Sequence, residues 1–366
     1  MLDQPDPAGP ALLPTPEELR SRLPLGSAAS AVVKSGRRAI ADVLHGRDPG
    51  RRVVIAGPCS VHDAEATLEY AQRLARVADE TADSLVIAMR TYVEKPRTTM
   101  GWKGLVNDPH LDGSCDLGLG LERSRSLLLA INGIGVPCAS ELIDPMVPFY
   151  LADLLSWAAI GARTSESQTH RELASGLDMP VGFKNGTSGA VEIARNAMIA
   201  ARRPHSVFGL DPTGRASRLR TCGNRDGHLI LRGGGGRANY SADDVARAAG
   251  LVAAEGLARP VMVDCSHDNS GGDPARQPVV CRAVLEQIRE ADTSILGILL
   301  ESHLRAGRQD WSGTRPLEFG VSITDACMGW EETKALLYEI AEAVAASKAP
   351  GRAGKLGPTD LREVRT

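Results

Sequence analysis

Eight short apolar runs in this chain each end on a residue able to bind phosphate or a metal. VVIAGPC stops at Cys59, LVIAMR at Arg90, VPCASE at Glu141, AIGAR at Arg163, PVGFK at Lys184, HLILR at Arg232, VMVDCSH at His267 and ILGILLE at Glu301. Two kinds of chemistry are represented. Arg90, Lys95, Arg97, Arg163, Lys184 and Arg232 offer guanidinium forks and ammonium groups for phosphate and carboxylate oxygens. A lone arginine of this kind is ordinarily a surface charge or the partner of a carboxylate. Six cations at or just past run ends require anions, and a phosphorylated, carboxylated substrate is the economical source.

Cys59, His267, Glu301 and Asp325 form the second set. Thiolate, imidazole and carboxylate together suit a divalent transition ion with an open position, such as Mn, Fe, Co or Zn. None of the four is a sequence neighbour of another, so spacing carries no weight; their shared place at or beyond strand ends is the argument. A packing cysteine beside an unrelated histidine is the competing reading. The cysteine count of seven is odd and contains no CxxC pair, which fits reduced thiols of an intracellular protein rather than a disulfide framework.

These residues converge only if the fold brings run ends together, and a (β/α)8 barrel does that at its C-terminal face. From Val53 onward β-rich runs alternate with helical patterns, predicted at 64–78, 119–133, 148–157, 190–201, 241–255, 277–290 and 331–346. Eight repeats favour closure of a parallel sheet. The stretch 208–228 breaks the rhythm with turn residues and reads as a hairpin-like insertion before the sixth strand. Thr15-Pro16-Glu17-Glu18 reads as cap, first-turn proline and acidic first turn of a helix reaching His45. The expected organisation is an N-terminal arm and helix over 1–50, serving oligomerisation or regulation, a catalytic barrel over 51–348 and a loose polar tail over 349–366.

Composition narrows the function. The 366 residues, 43% hydrophobic, suffice for one barrel with appendages. A formal charge of -3 gives no basic excess for nucleic acid. There is no signal-peptide layout and no apolar run of about 20 residues, so a cytoplasmic protein without membrane contact is expected. RGGGGR at 232–237 is a single copy after a strand, better suited to a loop whose amides approach an anion than to an RGG patch. GLGLER fails the dinucleotide pattern, and no GxxxxGK[ST] segment occurs. Of the seven lysines, Lys95, Lys103 and Lys184 fall inside the densest motifs, where a compact ammonium has a use.

The segments GPCSVHD (57–63), MRTYVEKPRTTMGWKGLVNDP (89–109), SWAAIGARTSESQTHRELASGL (156–177), PVGFKNGT (180–187), HLILRGG (228–234), DCSHDNS (264–270), ESHL (301–304) and SITDACMGWE (322–331) resemble class I DAHP synthase. That family makes 3-deoxy-D-arabino-heptulosonate 7-phosphate (DAHP) at the first step of the shikimate pathway, on a barrel with an N-terminal extension and a hairpin before strand six. The resemblance implies one divalent ion per subunit on Cys59, His267, Glu301 and Asp325. It implies phosphoenolpyruvate on Arg90, Arg163, Lys184 and Arg232, with Lys95, Arg97 and Thr98 on the erythrose 4-phosphate side. It also implies association as a homodimer or homotetramer. Lys95 is the candidate proton donor to the new hydroxyl, with His267 or Glu141 assisting proton movement.

Departures from the family pattern concern regulation and one loop. ARTSESQ stands where ARTTESQ is usual, and Gly271-Gly272-Asp273 replaces a segment that commonly carries a lysine. Related enzymes sense an aromatic amino acid through the N-terminal segment and a pocket near the fourth strand. Here the arm is proline-rich, Phe149 follows Pro148 where glutamine is common, and Asp178 follows the SGL turn, so weak or altered feedback inhibition is expected. Three alternatives are weighed: a sister condensation with arabinose 5-phosphate, a catalytically silent barrel acting as a regulatory or effector-binding subunit, and a Schiff-base aldolase using Lys95 or Lys184.

Overall fold

The computed structural model describes residues 11–97, 101–258, 260–290, 294–311 and 316–348. The apolar runs form the strands β1 Arg52–Gly57, β2 Leu85–Arg90, β3 Cys138–Glu141, β4 Leu155–Ile160, β5 Val181–Lys184, β8 Gly227–Leu231, β9 Val261–Asp264 and β10 Ile295–Glu301, with β6 Ser206–Leu210 and β7 Ala216–Arg220 between β5 and β8. All eight barrel strands pair in parallel, and β10 closes on β1 with Gly57 opposite Glu301. Fully buried runs rather than alternating ones are what a sheet covered on both faces demands.

Side chains still alternate in direction along each strand. Val53 and Ile55 join Val86, Ala88, Trp157, Ile230 and Met262 inside the barrel, while Val54 and Ala56 face the helical layer. The helix Ser27–Leu44 contributes Ile40, Val43 and Leu44 to the inner cluster, so it plugs the end away from the strand C-termini. Gly297 is required by packing, since a Cβ there would meet the Val53 carbonyl oxygen at 1.8 Å.

The region expected to be one helix from Thr15 to His45 is two, Pro16–Arg22 and Ser27–Leu44. Pro24 and Gly26 lie in the break, where a proline without an N–H and a glycine both disfavour helix continuation. Thr15 caps the first helix in a capping box with Glu18. The expected helix over 148–157 is also corrected. A single turn, Pro148–Leu151, and a 3₁₀ turn, Ala152–Leu154, lead directly into β4. LLSWAAI is a short apolar run whose periodicity fits buried helix and buried strand alike, and the sheet took it. A helix at Gln168–Ala174, capped by Ser167, was not anticipated.

The insertion is an antiparallel hairpin, with Ser206 opposite Arg220 and Leu210 opposite Ala216. It meets the first helix where Glu17 N–H donates to the Pro212 carbonyl at 2.9 Å. Phe208 on the hairpin is 94% exposed.

Candidate active site and metal centre

Hydrogen-bonded pairing stops earlier than the apolar runs do. β1 ends at Gly57, β4 at Ile160 and β9 at Asp264, so Cys59 and Arg163 stand in the loops that follow, and His267 opens the helical turn His267–Ser270. Arg163, His267 and the strand-end residues Arg90, Glu141 and Lys184 line a cavity of about 350 Å³ at the C-terminal mouth, and Cys59 and Glu301 lie beside it in contact with Lys95 and Arg90. All six predicted cations, Arg90, Lys95, Arg97, Arg163, Lys184 and Arg232, line it together with Glu141, His267 and Asp325. Thr98 lies outside the described residues.

The cations differ in how they are held. Arg90 is buried: its Nε donates to the Pro58 carbonyl at 2.9 Å, its Nη2 to the Cys59 carbonyl at 3.0 Å, and Nη2 lies 2.8 Å from Glu301 Oε1. Lys184 donates to Glu141 Oε2 at 3.1 Å and lies 3.6 Å from Asp264 Oδ2, both carboxylates being buried. Burial opposes charge on Lys184, but the Glu141 and Asp264 carboxylates outweigh it and hold the ammonium above its ordinary range. Arg232 lies 3.4 Å from Asp268 Oδ2 at the rim. Arg97 and Arg163 are exposed at the mouth, whereas Arg90 and Lys184 are held by the buried contacts just described. The mouth thus combines Arg90 and Lys184, buried and fixed by polar contacts, with more exposed arginines.

Lys95 sits between two predicted metal ligands. Its Nζ donates to Cys59 Sγ at 2.8 Å and to Asp325 Oδ2 at 2.7 Å, and the thiol donates to the same Asp325 oxygen at 3.3 Å. Burial, seconded by Glu301, pushes the Cys59 thiol up to about 11, against the pull of Lys95. Burial also works against the Glu301 carboxylate, yet Arg90, His267 and Lys95 hold it below the ordinary range.

The ligand atoms of Cys59, Glu301 and Asp325 all lie within 4.8 Å of one another. His267 is not in that tight set; it adjoins it with Nε2 3.8 Å from Glu301 Oε1. Glu301 Oε1 is buried and accepts no well-formed hydrogen bond despite its ion pair with Arg90. A soft sulfur, two carboxylates and an adjoining imidazole, with one buried carboxylate oxygen left over, fit a divalent transition ion. A bound ion would also favour the thiolate that burial disfavours.

Sequence reading passed over three residues here. Asp264 ends β9 fully buried, and its Oδ2 lies 3.0 Å from His267 Nδ1. Burial resists its ionisation, but His267 and Lys184 hold the carboxyl well below its usual range, so it orients the imidazole with Nε2 toward Glu301. The strand-end rule that flagged Glu301 applies equally to Asp264. Glu94 is buried and accepts the Ile143 and Asp144 N–H groups at 3.3 and 3.0 Å, tying the Lys95 segment to the loop after β3; burial pushes its carboxyl up to about 8. Tyr92 lies under Arg90, with the guanidinium carbon 3.5 Å from the ring centre. His267 itself has a φ of +57°, a strained conformation for a non-glycine residue, as at other functional sites.

The DAHP synthetase I family profile matches residues 27–338. The chain belongs to the DAHP synthetase I family. It is 52% identical over 330 residues to the Tyr-sensitive phospho-2-dehydro-3-deoxyheptonate aldolase of Escherichia coli K12, covering 90% of this chain and 92% of that one. The Phe-sensitive enzyme of the same strain is 49% identical over 337 residues, covering 92% and 95%. The solved structure of the aldolase from Francisella tularensis SCHU S4 superposes with a TM-score of 0.90 at 42% identity, covering 93% of this chain and 99% of that one. DAHP synthases condense phosphoenolpyruvate with erythrose 4-phosphate at the first step of the shikimate pathway, and this chain is an enzyme of that reaction. The family is divalent-metal dependent, which agrees with the donor set around Cys59. Among the described residues no helix is long and apolar enough to cross a membrane.

Proposed function

We infer that the mouth of the barrel is where phosphoenolpyruvate and erythrose 4-phosphate meet, and that the predicted residues divide the work between them. The observation that carries this reading is the convergence of six cations on one cavity, which a thiol–carboxylate cluster reaches through Asp325. Arg90, Arg163, Lys184 and Arg232 hold the phosphoenolpyruvate carboxylate and phosphate, and the buried pair fixes its orientation for attack through C3. Lys95, Arg97 and Thr98 receive the phosphorylated aldehyde. Cys59, His267, Glu301 and Asp325 hold the ion, which is Mn, Fe, Co or Zn and when bound supplies Lewis-acid polarisation of the aldehyde oxygen.

The chain's own groups then manage protons and water. C3 of phosphoenolpyruvate bonds to the aldehyde carbon, leaving C2 electron-poor. Lys95, ammonium-charged beside Cys59 and Asp325, donates a proton toward the new hydroxyl. Glu141, paired with Lys184, accepts a proton from the water that adds at C2, and phosphate leaves by C–O cleavage. The cation wall disfavours early loss of the anionic substrate to solvent.

The exposed Leu12 and Phe208, on an N-terminal segment and a hairpin that touch each other, support a dimer or tetramer built through the 1–50 region in the cytoplasm. A second cavity, of about 630 Å³, lies between Phe149, Asp178 and the hairpin residues Phe208 and Leu219. It is the place for an aromatic effector, and its altered lining supports weak or changed feedback control.

Phosphate release from phosphoenolpyruvate with erythrose 4-phosphate, after EDTA treatment and again with Mn²⁺ restored, tests the reading. Loss and recovery of activity are expected. Activity that survives chelation but is trapped by borohydride would replace it with a Schiff-base aldolase, and turnover with arabinose 5-phosphate alone would replace the aldehyde.

A further inference from the structure

The roles assigned so far leave the buried hydroxyl of Tyr92 at the mouth unused. The residue is 1% exposed, lines the cavity and has no hydrogen-bond partner for its oxygen. Its ring already has a function. Arg90 Cζ lies 3.5 Å from the ring centre and Lys184 Nζ 5.7 Å from it, so the negative ring face supports the two buried cations of the clamp.

Phenylalanine would provide the same face without burying an unsatisfied hydroxyl, which costs free energy in the unliganded protein. A second donor nearby is in the same condition, since Arg90 Nη1 is buried and also lacks a partner. Two unpartnered donors on stacked side chains that both line a cation-rich cavity are available to one anionic group. Neither Pro58 nor Cys59 uses Nη1, because their carbonyls take Nε and Nη2.

We propose that Tyr92 is a substrate-positioning residue whose hydroxyl, together with Arg90 Nη1, donates to an anionic oxygen of phosphoenolpyruvate. This rests on the assignment of that substrate to the Arg90 and Lys184 clamp. The hydroxyl is suited to donating rather than accepting, because burial raises it to about 12 even against the pull of Lys184 and Arg90. The group therefore contributes affinity and orientation for one substrate while making the empty enzyme slightly less stable.

Tyr92→Phe separates this role from a structural one. With the wild-type enzyme assayed alongside, kcat/KM for phosphoenolpyruvate is expected to fall roughly 10- to 100-fold, as for loss of a hydrogen bond to a charged group. KM for erythrose 4-phosphate should not move. The unliganded variant should unfold at the wild-type temperature or above it, and phosphoenolpyruvate alone should raise that temperature less than it does for the wild type. An unchanged kcat/KM and an unchanged thermal shift would overturn the proposal, as would a variant that unfolds earlier yet binds phosphoenolpyruvate normally. The thermal shift needs no turnover, so it decides the role of Tyr92 separately from any failure of the wild type to condense the two substrates.

Discussion

Replacing Arg90 by lysine keeps a positive charge and removes a geometry, so it tests whether the floor of the site depends on the guanidinium fork. Arg90 holds two carbonyls, approaches Glu301 at 2.8 Å and stacks on Tyr92, all while 1% exposed. A lysine at this position has one nitrogen on a flexible stem and cannot satisfy Pro58, Cys59 and Glu301 together. Loss of one hydrogen bond from a charged donor to a buried carbonyl costs about 1.5–3 kcal/mol. Poorer neutralisation of the buried Glu301 adds to that, so a total of about 3 kcal/mol is expected. With an m-value of roughly 3 kcal/mol/M, the urea midpoint of Arg90→Lys should fall by roughly 1 M. Its kcat/KM for phosphoenolpyruvate should fall by about two powers of ten, the equivalent of a lost bidentate contact. Urea unfolding followed by fluorescence and a phosphate-release assay measure the two effects. A midpoint within about 0.3 M of wild type and activity within about fivefold would refute the reasoning, because charge alone would then account for Arg90.

Three further outcomes are expected. Lys95→Met should lower kcat by about 100-fold or more, the range of general acid catalysis, and near-normal turnover would remove Lys95 from proton donation. Stability should fall as pH drops from about 6.5 to about 4, because burial lowers His228 to about 4 and the unfolded chain binds its proton first. That window is worth about 3 kcal/mol for His228; His303, also lowered by burial to about 4, acts in the same direction, and His228→Asn should flatten the slope in pH-dependent urea unfolding. Phenylalanine, tyrosine and tryptophan should inhibit weakly in initial-rate assays, given Phe149 and Asp178 in the second cavity; strong inhibition at low concentration would contradict that expectation.

The eight strands and the chemistry at their ends were legible because a barrel strand buried on both faces must be a continuous apolar run, and a charged residue can end such a run only where a pocket or solvent begins. Arg90, Glu141, Lys184 and Glu301 were found by that rule, and their family motifs carried the reaction. The boundaries were not legible. LLSWAAI satisfies helix and strand equally, and only pairing with β3 and β5 selected the strand. Likewise the helix break at Pro24 and Gly26 is a local signal that the surrounding helical pattern obscured. Which charges pair was decided by tertiary structure alone. Lys95 reaches Cys59 and Asp325 across gaps of 36 and 230 residues, and Tyr92 slides beneath Arg90 with its hydroxyl unpartnered. Sequence sets which groups reach the mouth because it sets strand ends; only the closed barrel sets the distances between them, and those distances fix charge state, orientation and chemistry.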